Sequence, residues 1–72
     1  MQLERKKEIL ADILEVDVED VVENKQLEDY ETWDSVAVLS VIAVINEEFN
    51  RFPMADEIRA YKTVGDLMNA LE

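Results

Sequence analysis

The sequence predicts an all-α fold of four helices, with a long connection between the first and second helices and a short third helix. Three observations support this prediction. Apolar residues recur at helical spacing in residues 2–14. The apolar run VAVLSVIAVI continues through NEEFNRF to a length that suits a helix, and the chain offers no turn-linked strand partner for it. Later in the chain, Thr63 and Asp66 have the spacing of a capping box.

The first helix is predicted over residues 2–14, QLERKKEILADIL, where the apolar stripe runs from Leu3 to Leu14 with charged residues between. Lys6 occupies a position of this stripe that a regular pattern would fill with an apolar residue. Its aliphatic stem is therefore expected to cover apolar surface while its ammonium group stays in water.

The connection, residues 15–34, is acidic and lacks sustained periodicity. The stretch DVEDVV is expected to form one helical turn capped by Asp17. Four apolar residues are expected to pin the connection to the core: Val16, Val18, Val21 and Leu27. Tyr30 and Trp33 are expected to anchor it with their polar atoms toward water. A connection of this length is often functional.

The second helix is predicted over residues 35–50 and is expected to end because of Pro53, since the residue before proline avoids helical dihedrals. Its many β-branched residues leave a buried strand as the alternative by propensity alone. With residues about 100° apart, one set can share the buried stripe: Leu39, Ile42, Ile45 and Phe49. The other side then carries Val36, Ser40, Ala43 and Val44. That side is expected either to be covered by the connection or to contact a partner.

The rest of the chain predicts a short third helix over ADEIRAY and a fourth over KTVGDLMNALE. The apolar face of the fourth helix consists of Val64, Leu67, Met68 and Leu71. Neither repeats nor low-complexity tracts nor linkers interrupt the sequence, so a single domain is expected over residues 1–72.

Charge limits the possible partners. Seven basic and eighteen acidic residues give a net charge of -11. Nucleic acid and anionic membrane surfaces are excluded, because both would repel such a chain. Basic protein surfaces are the favoured partners, and the chain is expected to be a monomer.

The residue types that are absent limit the chemistry. The chain has neither cysteine nor histidine. It therefore lacks disulfides, a thiolate nucleophile, the usual base near neutral pH and the common zinc ligands. The acidic group Asp17, Glu19, Asp20 and Glu23 lacks the ligand spacing and the glycine of an EF-hand and is interpreted as a solvated face. Charges run throughout MQLERKKEIL, so no signal peptide is predicted and a cytoplasmic location is expected. The chain is not expected to be an enzyme.

Ser35 is the candidate functional residue, and two interpretations are open. It could cap the second helix, because a serine ahead of an apolar run accepts a hydrogen bond from a free backbone N–H group. It could instead be a substrate for modification, with its hydroxyl exposed where an acidic connection meets a helix start. Asp34 beside it could then position a cation or a modifying enzyme, and a phosphodiester on Ser35 would lie at the positive end of the helix dipole.

The chain resembles the acyl carrier proteins and related phosphopantetheine carriers. Their signature Asp-Ser-Leu at the start of the second helix is matched by WDSV, residues 33–36, with valine in the leucine position. ILADILEVDVEDV resembles the family's first helix and the loop after it, VINEEF the end of its second helix, and KTVGDLMNAL after Pro53 its last helix. The resemblance covers essentially the whole chain and implies a four-helix bundle of acyl-carrier-protein type.

The resemblance also implies a function. Ser35 would be the attachment point for 4′-phosphopantetheine, which a separate magnesium-dependent phosphopantetheinyl transferase takes from coenzyme A. The arm would hold an acyl or similar carboxylic group as a thioester for delivery to the enzymes of fatty-acid, polyketide or other secondary biosynthesis. Partners of this family dock through basic patches onto the start and face of the second helix.

This sequence departs from the family pattern in two places. Glu31, Thr32 and Trp33 stand where family members have a glycine shortly before Asp-Ser. The outer face of the second helix, acidic in fatty-acid carriers, keeps only Glu47 as an acidic residue. A dedicated carrier for a secondary pathway is therefore expected, whose partner contacts the second helix at Val36, Ser40, Ala43, Val44 and Glu47.

Two other functions are considered. The first is an unmodified interaction module of the same fold, in which Ser35 is only a helix cap and the apolar second helix could support dimerisation. The second is an acidic hydrolase or metal-binding protein, but the sequence contains no constellation of residues for either chemistry.

Overall fold

The structure is a computed structural model that describes all 72 residues, and it confirms the all-α fold. The four helices are α1 (Leu3–Leu14), α2 (Ser35–Phe49), α3 (Ala55–Arg59) and α4 (Val64–Ala70). The long connection between α1 and α2 contains two 3₁₀ turns, Val18–Asp20 and Leu27–Asp29. None of the helices combines the length and the apolar run that crossing a membrane would require.

The core draws side chains from all four helices and from the connection. Its fully buried members include Leu10, Leu14, Leu27, Val41, Ile58, Val64, Leu67 and Leu71. α1 and α2 run antiparallel, as contacts at the two ends of the pair show. At one end, the Thr32 hydroxyl just before α2 donates to the carbonyl of Leu14, the last residue of α1. At the other end of the pair, Arg5 of α1 lies 3.8 Å from Glu48 of α2. The start of α2 therefore lies beside the end of α1, and the end of α2 lies beside the start of α1.

The connection is held to the core by Val21, Leu27 and Tyr30, which are buried, and by the half-buried Val16. The prediction that Val18 is a core anchor is wrong, because the 3₁₀ turn directs Val21 inward and leaves Val18 45% exposed. Asp17 precedes this turn, but its side chain makes no capping bond. The predicted side-chain cap is therefore also wrong, and the turn is closed by its own backbone.

Tyr30 anchors the connection as predicted, but its polar atom does not face water. Its hydroxyl donates to the carbonyl of Asp20, so it joins the two halves of the connection. The ammonium of Lys25 lies 4.4 Å from the centre of the Tyr30 ring, a cation–π contact on the outer side.

α2 buries a stripe that shares only Ile45 with the predicted one. Its buried residues are Ala37, Val38, Val41 and Ile45, whereas Ile42 and Phe49 are half-buried and pack against the core. The prediction that Leu39 lies in the buried stripe is wrong, since its side chain is 61% exposed. Because nearly every position from 36 to 45 is apolar, the sequence pattern does not determine which side faces the core.

α2 ends at Asn50 rather than because of Pro53. Asn50 adopts a left-handed conformation with φ 54° and ψ 42°, and its amide donates to the Asn46 carbonyl at 2.9 Å. Asparagine tolerates this conformation better than most residues and is common at helix ends. The predicted bounds, residues 35–50, are therefore correct to within one residue, but the predicted cause of the stop, Pro53, is wrong.

Lys6 has a buried side chain whose ammonium is not left in water as predicted. The side chain is 8% exposed, and the ammonium donates to Oε1 of Glu72 at 2.9 Å. This contact lowers the pKa of Glu72. Arg51 donates to the carbonyl groups of Ala70 and Glu72, so Lys6 and Arg51 both bind Glu72, and Arg51 also binds the last residue of α4.

α4 begins with the predicted capping box. Thr63 Oγ1 accepts a hydrogen bond from the amide of Asp66, whose carboxylate accepts from the amides of Thr63 and Lys62. The two backbone N–H groups hold the pKa of Asp66 below its ordinary value.

A short antiparallel bridge joins the connection to the residues before α4. Gln26 pairs with Thr63 in this bridge. The amide of Leu27 donates to the Lys62 carbonyl at 2.8 Å, and the amide of Val64 donates to the Lys25 carbonyl at 3.0 Å. The bridge fixes the position of the connection relative to the segment between α3 and α4.

Candidate functional site

Asp34 is the N-cap of α2. Its backbone is extended, and its Oδ1 accepts a hydrogen bond from the amide of Ala37 at 3.0 Å. Its carbonyl accepts from the amide of Val38 at 3.0 Å. The interpretation of Ser35 as the helix cap is therefore wrong, because the aspartate before it already satisfies the free N–H group that a capping serine would serve.

Ser35 is the first residue of α2 and is exposed. Its hydroxyl makes no hydrogen bond within the protein, and the backbone N–H groups of Ser35 and Val36 have no protein acceptor. These donors lie at the positive end of a helix of 15 residues. The Ser35 oxygen is free to carry a phosphodiester, and the side chain is exposed, so such a group would have room. Its oxygens could accept hydrogen bonds from the unpaired N–H groups of Ser35 and Val36. The residues therefore fit a phosphate-linked group.

The segment before Ser35 is held without glycine. Thr32 donates to the Leu14 carbonyl, the amide of Trp33 donates to the Tyr30 carbonyl at 3.1 Å, and the Trp33 ring packs against the core. Positive φ occurs at Glu15 and Asn50 and at no residue of this segment. Glu31, Thr32 and Trp33 are therefore compatible with the turn that presents Ser35.

The other predicted site residues lie along α2. Val36 is 69% exposed, and Ala43 and Glu47 are also exposed. Ser40 is half-buried with its hydroxyl donating to the Val36 carbonyl, and Val44 is half-buried against the core. The exposed Leu39 belongs to the same face as Val36 and Ala43, and sequence reasoning missed it because an unbroken apolar run carries no signal for its orientation.

The acidic side chains do not form a metal site. No three carboxylates approach one another in a geometry that could hold a metal ion. The acidic residues of the connection are exposed and spread over its length. The hydroxyl of Ser35 is therefore exposed, and no side chain of the protein that could act as a base is hydrogen-bonded to it.

The fold and the site together define a small helical domain that presents one unengaged serine at a helix start. The chain matches the family described as the phosphopantetheine attachment site over residues 7–71, nearly its whole length. It belongs to this family, as the sequence resemblance predicted. It is therefore a carrier to which 4′-phosphopantetheine is attached covalently, and not an enzyme. No solved structure matches the chain.

Proposed function

We propose that Ser35 carries the 4′-phosphopantetheine group, and that the chain delivers an acyl or similar carboxylic cargo, held as a thioester, to enzymes of a secondary biosynthetic pathway. The observation that carries this proposal is the free, exposed hydroxyl of Ser35 at the start of α2. Ser40 is the chain's other serine, and it is half-buried with its hydroxyl bonded to the Val36 carbonyl. Ser35 is thus the accessible serine of the chain.

In the attachment step, the Ser35 oxygen attacks the phosphorus of coenzyme A that bears the pantetheine. A phosphodiester forms at Ser35, the pyrophosphate bond breaks, and adenosine 3′,5′-bisphosphate leaves. The hydroxyl proton passes to a base of the transferase, because this chain has no histidine and no carboxylate bonded to Ser35. The attached arm then supplies the thiol that a chain without cysteine lacks.

The surface around Ser35 indicates the kind of partner. Val36, Leu39 and Ala43 form an exposed apolar face, which we call the α2 stripe. Residues 35–46 contain no charged side chain, whereas residues 15–34 contain nine of the eighteen acidic residues, all exposed. A partner with an apolar centre and a basic rim toward the connection matches this surface, since apolar contacts give affinity and charge gives orientation.

The test of Ser35 is intact mass after incubation with coenzyme A, Mg²⁺ and a broad-specificity phosphopantetheinyl transferase. The wild-type chain is expected to gain the mass of one phosphopantetheine. Ser35→Ala is expected to gain none while keeping its helical circular dichroism, because the Ser35 side chain has no packing role. Ser40→Ala is the matched control and is expected to be modified like the wild type. Modification of Ser35→Ala would overturn the assignment.

A further inference from the structure

An apolar groove of about 440 Å³ lies between the first half of α1 and the connection. On one wall, Leu3 of α1 is 58% exposed, and on the other, Val18 and Val22 are 45% and 44% exposed. The buried side chains of Val21 and Met68 also line the groove. Three exposed apolar side chains therefore surround one concave surface, and the proposed role of Ser35 uses none of them.

Both walls of the groove are held by backbone hydrogen bonds. The amide of Val21 donates to the Val18 carbonyl at 3.1 Å and closes the 3₁₀ turn. The Glu23 carbonyl accepts the amide of Gly65 at 2.7 Å, which joins the connection to the start of α4. The opposite wall is α1, whose Leu10 is fully buried in the core. A partner would therefore meet a formed surface and would lose little free energy in ordering it.

The charged side chains at this groove are mainly acidic. Lys7, Glu19 and Glu23 line it, and Asp17 and Asp20 are their neighbours in the same turn of the connection. None of the four carboxylates forms an ion pair, and neither does Lys7. The other cations of α1 and the connection are engaged elsewhere: Arg5 by Glu48, Lys6 by Glu72, and Lys25 by the Tyr30 ring. Four carboxylates against one ammonium leave a negative rim around an apolar centre.

The groove lies away from Ser35. Ser35 is beside the end of α1, because the Thr32 hydroxyl donates to the Leu14 carbonyl. Leu3 is about 17 Å from Leu14 along the helix axis, at 1.5 Å per residue. The groove shares no lining residue with either groove that includes part of residues 32–36. A partner bound in it would therefore leave Ser35 and the α2 stripe uncovered.

Charge and shape together indicate the occupant of the groove. A second copy of the chain would bring a net charge of -11 to a negative rim and would be repelled, as would any anionic surface. A cationic protein segment would be attracted to the same rim. An amphipathic helix fits an apolar groove by inserting side chains spaced three and four residues apart, and it can carry basic residues along both edges of its apolar face.

We propose that this groove is a second docking surface of the carrier, and that its occupant is a basic amphipathic helix of a partner protein. The apolar face of the helix contacts Leu3, Val18 and Val22. Its lysine or arginine side chains pair with Glu19 and Glu23. Such a partner holds the carrier close to the enzymes that it serves while Ser35 stays free to react.

The experiment titrates the ¹⁵N-labelled chain with a synthetic peptide and follows the amide chemical shifts. The probe is a peptide of about 14 residues, made of leucine, alanine and lysine, with its leucines on one helical face. The largest shifts are expected in the first half of α1, at residues 17–23 and at Met68. A scrambled peptide of the same composition is expected to bind about tenfold more weakly, because its leucines no longer share a face.

Apolar variants test the walls of the groove. The double variant Val18→Ser, Val22→Ser is expected to weaken binding of the probe about tenfold or more, the loss of two central apolar contacts. Leu3→Ser tests the opposite wall independently, and circular dichroism is expected to show the wild-type fold for each variant because the side chains are exposed. Phe52→Ser is the matched control, since Phe52 is 76% exposed and lies outside the groove.

Charge variants test the rim. Glu19→Gln and Glu23→Gln are each expected to weaken binding about twofold to fivefold, the effect of one exposed ion pair. Lys7→Gln is expected to strengthen binding by a similar factor, because it removes the cation that opposes the probe. Glu28→Gln is the matched control, at an exposed position of the connection outside the groove.

Four outcomes would overturn the inference. Absence of binding would show that the groove does not accept such a helix. Shifts centred on Val36 and Leu39 would show that the probe binds the α2 stripe instead. Equal binding of the scrambled peptide, or wild-type binding by both apolar variants, would show that charge alone attracts the probe. None of these measurements depends on attachment at Ser35, so they test the groove separately from the proposed function.

Discussion

At the scale of single residues, Asp34 caps α2 and Ser35 keeps a free hydroxyl. One residue could not do both. A serine that caps a helix uses its oxygen as an acceptor and turns it toward the backbone. Here the Asp34 carboxylate binds the amide of Ala37, which leaves the Ser35 oxygen exposed to solvent. The cap also fixes the direction of α2 at Ser35, its first residue.

The first prediction separates the cap from any role of the Asp34 charge. Asp34→Ala is expected to lower the free energy of unfolding by about 1 kcal/mol, because the amide of Ala37 loses its acceptor. Asp34→Asn is expected to unfold at nearly the wild-type urea concentration, since asparagine caps equally well. Both variants are expected to be modified more slowly by the transferase. Wild-type rates for Asp34→Asn would show that the charge has no part in recognition.

The second prediction concerns Gly65, the single glycine of the chain. A Cβ at this position would lie 3.0 Å from Cγ of Glu23 and 3.2 Å from its carbonyl oxygen. The carbonyl cannot move away, because it accepts the amide of Gly65 itself at 2.7 Å. Gly65→Ala is therefore expected to destabilise the domain by about 1–2 kcal/mol, as overpacking outweighs the better helix propensity of alanine.

The control for Gly65→Ala is Asn69→Ala, at an exposed position of the same helix. Urea unfolding of this variant is expected to match the wild type or to show a slight stabilisation. If Gly65→Ala were as stable as the control, the close approach of residue 23 to α4 would not hold in solution.

The sequence was sufficient to predict which residues lie at the start of α2. The role of each of these residues could be predicted only in part. The spacing of Asp34 and Ser35 ahead of an apolar run located the start of α2 correctly. Both residues are good helix caps, so the sequence could not say which of them bonds to the backbone. That choice depends on the dihedral angles of Asp34, which a sequence does not contain.

At the scale of helices, α2 is unusual because it is apolar on its exposed side as well as on its buried side. Val38, Val41 and Ile45 supply the side that packs into the core. The α2 stripe lies outside the core, and the connection does not cover it, as the exposure of Val36 and Leu39 shows. An exposed apolar face of this kind in a small domain is typical of a contact surface.

The third prediction tests the α2 stripe as a contact surface. Val36→Asp and Ala43→Glu are each expected to keep the wild-type melting temperature, because both side chains are exposed. Each is expected to reduce transfer of cargo from the enzyme that loads this carrier about tenfold or more, the loss of a central apolar contact.

The control for these variants is Val38→Asp in the same helix, which is expected to unfold the domain because Val38 is buried. Loss of stability in Val36→Asp and Ala43→Glu as well would show that the α2 stripe is part of the core. Unchanged transfer with unchanged stability would show that partners bind elsewhere.

The existence of every helix could be predicted, whereas the orientation of α2 could not. The amphipathic patterns of α1 and α4 indicate which side of each helix faces the core. Val64, Leu67 and Leu71 are buried as predicted. In α2 a rotation of one residue, about 100°, exchanges Leu39 for Val38 in the core at almost no change in hydrophobicity. Packing against the other helices, which no local pattern describes, decides between them.

At the scale of the whole molecule, charge is distributed unevenly. Much of the net charge of -11 comes from the connection, where Lys25 is the single basic residue. Each of three ion pairs engages one cation, and two of these pairs are largely exposed on both sides. Repulsion among carboxylates is therefore a substantial cost of the folded state.

The fourth prediction follows from this repulsion. Raising NaCl from about 0.05 M to about 0.5 M is expected to raise the melting temperature by roughly 5 °C. The Debye length falls to a few ångströms at the higher concentration, so repulsion between carboxylates is screened. The triple variant Glu19→Gln, Glu28→Gln, Glu31→Gln is expected to melt at a higher temperature in low salt and to respond less. Equal salt responses in the two proteins would contradict the explanation by charge repulsion.

Long-range pairs were the part of the molecule that the sequence could not predict. Lys6 and Glu72 are 66 residues apart, and neither lies in a pattern that indicates the other. Trp33 of the connection likewise lines one groove with Arg59 and Lys62, and the bridge holds the connection beside these two residues. Such contacts arise from the packed arrangement of the helices and not from local spacing.

The bridge between Gln26 and Thr63 has a consequence for the order of folding. It closes a loop that contains all of α2 and α3, so forming it costs the closure entropy of that loop. Docking of α2 on α1 brings the ends of the loop closer together, so we expect it to precede the hydrogen bonds of the Leu27 and Val64 amides. In the native protein the same two amides can exchange with deuterium when the bridge opens by itself, while those of α2 stay protected. Their exchange rates would thus measure how often the connection separates from the residues before α4 without any unfolding of the helix that begins at Ser35.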